Sequence, residues 1–507
     1  LEYFDAWLLY QIRSGGIIIL SMNELHADDI VGSWMSDGWR FRLDIARDGE
    51  LYAGTLAEGL ENGEQDAANP DPALRTRPLL GSRLFDGLRF DNGSWHGGML
   101  YNPETGKSYA MRLSLTGQND LEMRAYVGLP LLGMSQLWQR QGYRPDLDAA
   151  VIASEAGLVA ELVWSTDKAQ AWYDSRAWPV GCNFIPSNAI NQLEMWQARS
   201  FDIELIRHEL DLARSIGFNC IRVYLHDIVW QLDKVGFLSR IAGFLDVAHA
   251  AGLAVLFVLF DDCWNDNPVT GRQPGPKPGV HNSGWVRSPG SRMIDDTSRW
   301  AELEDYVTGV IGAFRSDKRI YAWDLYNEIG NSVGFLPNST RLLARTFLWA
   351  RKARPEQPLT AGIWKSSSWF AGVNEFLATN SDIISFHDYS PPYSLMRKIQ
   401  ELSGYHKPIV CTEYMARTQG STFRENLPVL RTHRVGAISW GLVAGKTQTI
   451  YPWGSRRGAA EPAVWFHDIF RPDGTPYDGD EIASIKEQTA SPAASRADQA
   501  RRRDEER

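Results

Sequence analysis

From about residue 171 onward, short continuous apolar runs alternate with longer amphipathic stretches. The runs are VGCNFI (180–185), NCIRVYL (219–225), LAVLFVLF (253–260), IYAWDLYN (320–327), PLTAGIW (358–364), DIISFH (382–387), KPIVCTEY (407–414) and GAISWGL (436–442). Strands covered on both faces read this way, whereas a half-exposed strand would alternate with polar residues. The stretches 201–217 and 236–251 repeat their apolar positions at helical spacing, and Gly217 marks a helix end. Eight strands, most followed by helical stretches, predict a closed (β/α)8 barrel. Residues 28–140 have a different rhythm, with short alternating strands and turns. FRLDIARDGELYAGTL predicts a hairpin around Asp48-Gly49, MLYNPETGKSYAMRLSL another around residues 102–106, and LEMRAYV and SQLWQR supply later strands. That pattern predicts a small antiparallel β-barrel.

The 507 residues therefore divide into an upstream segment (1–27), a small antiparallel barrel (28–142), a linker (143–170), a (β/α)8 barrel (171–488) and a charged tail (489–507) expected to be disordered. The linker is polar and alanine-rich, with a helical pattern at 149–163. The opening residues lack a basic start and an uninterrupted apolar core, and Met22 reads as a start, which predicts a cytoplasmic protein.

Two of the buried strands end in an acid. IYAWDLYN delivers Asn327 and Glu328 to its C-terminal end, and KPIVCTEY delivers Glu413. The dipeptide Asn-Glu also occurs at Asn23-Glu24 and Asn374-Glu375, so strand context carries the reading. Acids just past the ends of parallel barrel strands sit where such barrels keep their chemistry. Two such carboxylates suit retaining glycoside cleavage, in which one protonates the leaving oxygen and the other attacks the anomeric carbon. In that scheme Glu413 raises the pKa of Glu328, because a second negative charge nearby is costly.

Composition narrows the partners. The net charge of −10 is spread along the chain, which argues against nucleic acid or an anionic membrane. The 20 Trp and 18 Tyr exceed ordinary usage and supply flat faces suited to sugar rings. Cys182, Cys220, Cys263 and Cys411 lie in or beside apolar runs without a CxxC pair, and read as small buried hydrophobes rather than metal ligands. No metal or organic cofactor is expected, and oligomeric state is not legible.

Taken together, Asn327-Glu328, Glu413, His387 with Tyr389, Arg222 and Trp440 fall on the strands where the clan of (β/α)8 retaining glycoside hydrolases, including the cellulase-like family five, carries its motifs. The second part of the chain resembles that clan. The resemblance implies Glu328 as acid/base, Glu413 as nucleophile, Arg222, Tyr389 and His387 as its supports, Asn327 as a partner of the sugar 2-hydroxyl and Trp440 as a platform beneath the sugar. Arg222 and His387 also read as structural residues, and Trp440 as packing. The chain departs from family five at Val223-Tyr224, where Val-Pro is common, and at Asp261-Asp262-Cys263-Trp264, where a histidine often stands. Asp261 and Asp262 read equally as partners of sugar hydroxyls or as ion-paired acids, and His226 is similarly open. Long loops at 264–293 and 441–464 carry Trp264, Trp285 and Trp453, and two raised walls would make a pocket suited to chain ends or short oligosaccharides. The substrate expected is a carbohydrate, with hydrolysis the leading activity. A transglycosylase using the same residues and a non-catalytic carbohydrate-binding barrel are the alternatives. In the first part, NPDPALRTRPLLG, WHGGMLYNPETGKSY and YVGLPLLGMSQLWQR resemble a small bacterial domain family without an assigned function, which implies a lipocalin-like fold.

Overall fold

The structure, a computed structural model, describes residues 26–36, 41–58, 65–103, 105–115, 120–126, 134–140, 162–332, 336, 338–366 and 370–490. Outside the described residues lie most of the upstream segment, most of the helical pattern at 149–163 and the tail after 490. The chain forms two compact units, Leu1–Tyr143 and Arg144–Arg507.

The first unit is a closed antiparallel barrel whose strands follow chain order. They are β1 (Gly32–Ser36), β2 (Arg42–Asp48), β3 (Leu51–Glu58), β4 (Arg83–Asp91), β5 (Ser94–Asn102), β6 (Lys107–Leu115), β7 (Asp120–Tyr126) and β8 (Met134–Arg140). Strand β1 pairs with both β2 and β8, so no edge is left open. The hairpins close where the turn residues placed them, with Asp48 opposite Leu51 and Asn102 opposite Lys107. Alternation sends Trp34, Leu43, Ile45, Tyr52, Trp95 and Met111 into one buried core, and side chains fill the interior. Residues 65–81 are fastened by buried Asp66, which accepts the Tyr101 hydroxyl (2.5 Å), Asn69 Nδ2 (2.7 Å) and Arg77 Nη2 (2.8 Å).

The second unit is a parallel barrel of β9 (Val180–Asn183), β10 (Cys220–Tyr224), β11 (Ala254–Asp261), β12 (Ile320–Asn327), β13 (Leu359–Thr360), β14 (Ile384–His387), β15 (Ile409–Tyr414) and β16 (Gly436–Ser439). These are the eight apolar runs of the sequence. They pair in chain order and β16 returns to β9. The seam between β13 and β14 is bridged by Ile363, whose N–H donates to Ser385 O and whose carbonyl accepts His387 N–H, both at 2.9 Å. Helices Ile203–Ser215 and Lys234–Ala250 follow the first two of these strands. The N-terminal end of the barrel is plugged by helix Thr166–Asp174, whose Tyr173 is buried with Cys220, Leu256, Tyr321, Val410 and Ile438. Each large apolar side chain buried this way stabilises the fold by about 1.5–3 kcal/mol. At the opposite end Tyr224, Val258, Cys263 and Trp285 form a second layer, beneath the face where the strands deliver their polar residues. No described helix is long and apolar enough to cross a membrane.

Candidate active site

The polar centre of the second unit is built around Arg222 on β10, which is fully buried. Its Nε and Nη2 both donate to Asp324 Oδ2 on β12, at 3.0 and 2.8 Å. Nη2 also reaches Asn327 Oδ1 (2.7 Å), and Nη1 lies against Asn183 Oδ1 (3.0 Å), the Tyr224 oxygen (2.6 Å) and Glu413 Oε1 (2.8 Å). Burial works against the guanidinium charge, but Tyr224, Asp324 and Glu413 outweigh it and raise its pKa well above the ordinary value. Burial pushes the Asp324 carboxyl up, with Arg222 opposing. A buried charge is tolerated when paired and hydrogen-bonded in this way.

Glu413, on β15, faces Arg222 across the barrel. Its Oε1 also accepts the Tyr224 hydroxyl and its Oε2 the Tyr389 hydroxyl, each at 2.8 Å. Burial holds both phenols well above their usual pKa, so they remain donors. Three donors on two oxygens orient the carboxylate.

Glu328 follows β12 in a left-handed conformation, φ 43°, which a non-glycine residue rarely adopts. In a regular strand successive side chains point to opposite faces. The turn at Glu328 lets it and Asn327 both serve the site. Glu328 Oε1 lies 2.7 Å from His387 Nδ1, and Oε2 accepts from Cys263 Sγ (3.2 Å) and Asn331 Nδ2 (2.5 Å). One carboxylate oxygen of Glu328, one of Glu413 and a His387 ring nitrogen lie within 4.8 Å of one another. The electrostatics differ from the sequence expectation. Burial raises the Glu328 pKa, but His387 and Cys263 outweigh it and hold the carboxyl below its ordinary value. The charge of Glu413, answered by Arg222, does not dominate.

The remaining sequence candidates fall into two groups. Tyr389 and His387 touch the carboxylates as described. Trp285, Trp440 and Tyr224 meet edge-on, with centroids 5.1–5.8 Å apart. Trp453 stands edge-on to Tyr389 at 4.9 Å, and Trp264 lies 5.7 Å from His281. The acids at the end of β11 have protein partners. Asp261 accepts Cys263 N–H, Asn327 Nδ2, Gln192 Nε2 and Trp285 Nε1, and burial pushes its pKa up to about 6. Asp262 pairs with buried Arg287 at 2.5 Å and accepts Tyr326 OH and Gly330 N–H. His226 caps helix Asp227–Leu232, with Nδ1 3.3 Å from Ile228 N, and has no contact with either glutamate. Asn327 is tied to Arg222, Asp261 and, more weakly, Cys263 Sγ at 3.4 Å.

Four contributors escaped the sequence reading: Asn183, Tyr224, Cys263 and Asp324. An acid inside an otherwise apolar strand was a signal for Asp324, because its burial demands a cation, and Arg222 in NCIRVYL was the available one. Cys182, Cys220 and Cys411 are buried thiols as expected. Cys263 is buried too, but it is a polar neighbour of Glu328 rather than filler.

Among the described residues, Glu328, His387 and Glu413 are also the one group spaced to hold a metal ion. Both Glu413 oxygens already accept hydrogen bonds and the Arg222 guanidinium adjoins them, which is an environment poorly suited to a cation.

Residues 32–140 match the bacterial family described as "Uncharacterized protein conserved in bacteria (DUF2147)". The match spans the strands of the first unit. No curated protein matches the chain. A Helicobacter pylori protein described as belonging to the lipocalin family is similar at 22% identity, over 22% of this chain and 82% of that one, with a TM-score of 0.21. GH5_18 from Streptomyces cattleya is similar at 14% identity, over 62% of this chain and 80% of that one, with a TM-score of 0.44. The endo-β-1,4-mannanase of Thermotoga petrophila is similar at 16% identity, over 61% and 76%, with a TM-score of 0.40.

Proposed function

We propose that the second unit is a retaining glycoside hydrolase acting on β-linked sugars, with Glu413 as nucleophile and Glu328 as acid/base. The observation that carries this reading is the approach of the two carboxylates, with one oxygen of Glu328 and one of Glu413 within 4.8 Å of each other. Retaining enzymes hold their carboxyl groups about 5–5.5 Å apart, whereas inverting enzymes leave about 6.5–9.5 Å for a water between them.

In the first step a Glu413 oxygen attacks the anomeric carbon while Glu328 passes its proton to the departing glycosidic oxygen, whose bond to that carbon breaks. In the second, Glu328 takes a proton from water, the hydroxide bonds to the same carbon, and the ester to Glu413 breaks. Arg222, Tyr224 and Tyr389 stabilise the carboxylate that leaves. The donors on Glu328 favour the ionised form that the second step uses. The first step needs the protonated form, so kcat/KM is highest on the acid side of neutrality. Asn327 Nδ2 spends one hydrogen on the long contact to Cys263 Sγ, and a sugar 2-hydroxyl is the stronger acceptor to replace it.

The test is the configuration of the first product. Wild type incubated with aryl β-glycosides, followed by proton NMR, should release the β-anomer before mutarotation. Initial release of the α-anomer would assign an inverting mechanism and remove the nucleophile role from Glu413.

A further inference from the structure

The two long loops on the catalytic face are joined. Asn282 N–H donates to Thr447 O, Gly279 N–H to Gln448 Oε1 and Gly458 N–H to Pro278 O, each at 2.8 Å. Ser455 Oγ accepts His281 N–H at 3.1 Å. Gly279 takes φ 78°, and a Cβ there would stand 2.6 Å from Ala459 N, so the two backbones approach as only glycine permits. Residues 277–279 and 455–459 form one lip. Trp453, 38% exposed, connects it to the glutamates: its ring stands edge-on to Tyr389 at 4.9 Å, and the Tyr389 hydroxyl donates to Glu413.

The charge of this lip runs against that of the chain. The protein has 62 acidic and 52 basic residues, yet residues 267–294 and 426–460 contain neither Asp nor Glu. Lys277, Arg456 and Arg457 lie in these stretches and are exposed. Among the described residues none of the three has an acid as ion-pair partner. Lys446 and Arg287, in the same two loops, are paired instead, with Glu194 at 2.6 Å and Asp262 at 2.5 Å. The flanking acids are also engaged, Asp266 with Arg287 and Ser291, and Glu461 with Trp465 Nε1. Unanswered cations gathered in one place raise the local potential and draw in anions. The two arginines offer planar forks whose N–H groups match the oxygens of a carboxylate or a tetrahedral oxyanion.

We infer that this lip recognises the negatively charged group of an acidic saccharide, a carboxylate, sulfate or phosphate on the chain bound at the site, with Lys277, Arg456 and Arg457 as its partners. The inference rests on the glycosidase reading for where the sugar lies, and extends it to the class of substrate. The observations favour a saccharide over other polyanions because the lip adjoins an exposed aromatic face beside the glutamates. The net charge of −10 meanwhile repels an extended anionic surface.

The test is calorimetric titration of the Glu413→Gln protein, or of Glu328→Gln should the first not fold, so that the ligand is not consumed. The probes are β-1,4-linked tetrasaccharides of glucose and of mannose, and the same compounds bearing 6-carboxylate, 6-sulfate or 6-phosphate groups. The expected result is about tenfold tighter binding of an anionic series than of its neutral parent at about 20 mM NaCl, as three solvent-screened charge pairs together provide. The advantage should shrink about threefold at about 300 mM NaCl, and the series that shows it identifies the anion. Arg456→Glu with Arg457→Glu in the same background should abolish the advantage, and Lys277→Glu should reduce it about threefold. Anionic series that bind no more tightly than their neutral parents, an advantage that survives charge reversal, or no binding of any compound would overturn the inference. Turnover of aryl glycosides by wild type without anionic preference would keep the glycosidase reading and remove the role of the lip. Anionic preference in a protein whose wild type cleaves nothing would keep the lip as a binding site and fail the glycosidase reading.

Discussion

Replacing Tyr224 by Phe removes one hydroxyl from the centre of the site and little else. The phenol donates to Glu413 Oε1 at 2.8 Å while its oxygen lies 2.6 Å from Arg222 Nη1. Without it, Arg222 Nη1 still has two acceptors, Asn183 Oδ1 and Glu413 Oε1 at 3.0 and 2.8 Å, for its two hydrogens, so the arginine need not move. Glu413 keeps Arg222 and Tyr389 and loses one charge-assisted hydrogen bond. Such a bond contributes about 1.5–3 kcal/mol, which corresponds to a roughly 10- to 150-fold fall in kcat/KM if the bond matters most as the carboxylate departs. The ring and its contacts with Trp285 and Trp440 remain, so thermal stability should change by no more than about 1 kcal/mol. The assay is steady-state kinetics on an aryl glycoside with a melting curve of the same sample. In a double-mutant cycle, Tyr224→Phe and Tyr389→Phe should be non-additive, because they act on two oxygens of one carboxylate. A folded Tyr224→Phe enzyme with unchanged kcat/KM would refute the placement of this hydroxyl in the catalytic array.

Two further predictions concern protons. Cys263→Ala removes the thiol donor from Glu328 Oε2 and so raises the pKa of a carboxyl that must enter the first step protonated. The alkaline limb of the kcat/KM profile should move to higher pH, Cys263→Ser should leave it near wild type, and an unmoved limb in the alanine variant would deny the thiol that influence. Glu209 is 1% exposed and accepts the Ser187 N–H, and burial pushes its pKa from 4.5 up to about 7. The folded state then holds the proton more tightly than the unfolded chain, so this residue's destabilising contribution is absent below about pH 4.5, grows as pH rises and is complete above about pH 7. Glu209→Gln should stabilise the protein at pH 8, by up to about 3 kcal/mol on the pKa difference, and have little effect at pH 4.5. Equal effects at both pH values, read by denaturant titration, would refute the assignment.

The fold was legible because each barrel announces itself by period. Parallel strands covered on both faces appear as unbroken apolar runs, and a two-residue alternation marks the small antiparallel barrel. Glu328 and Glu413 could be singled out because an acid at the end of such a run is conspicuous. What surrounds them could not be read in the same way. Tyr224 looked like a departure from a familiar motif, yet the space beside Glu413 is filled by its hydroxyl. Asp261 and Asp262 read equally as partners of sugar hydroxyls or as ion-paired acids, and which donors surround them, four on Asp261 and Arg287 on Asp262, depends on loops whose path periodicity does not encode. Cys263 read as an apolar filler, and its role follows from the chain reversal after β11, where Trp264 has φ 68°, a feature that strand periodicity does not encode. The Glu328 pKa went the opposite way from expectation because its local donors, unlike the charge on Glu413, cannot be identified before the loops are folded.

The central claim is that Glu413 becomes covalently bonded to the sugar. Glu413→Ala, checked for native circular dichroism, should lose at least about 1,000-fold in kcat on an activated aryl β-glycoside. Added azide should restore turnover by attacking the anomeric carbon from the face that Glu413 occupied, giving the α-glycosyl azide. A folded variant as active as wild type, or rescue that yields the β-azide, would contradict the account.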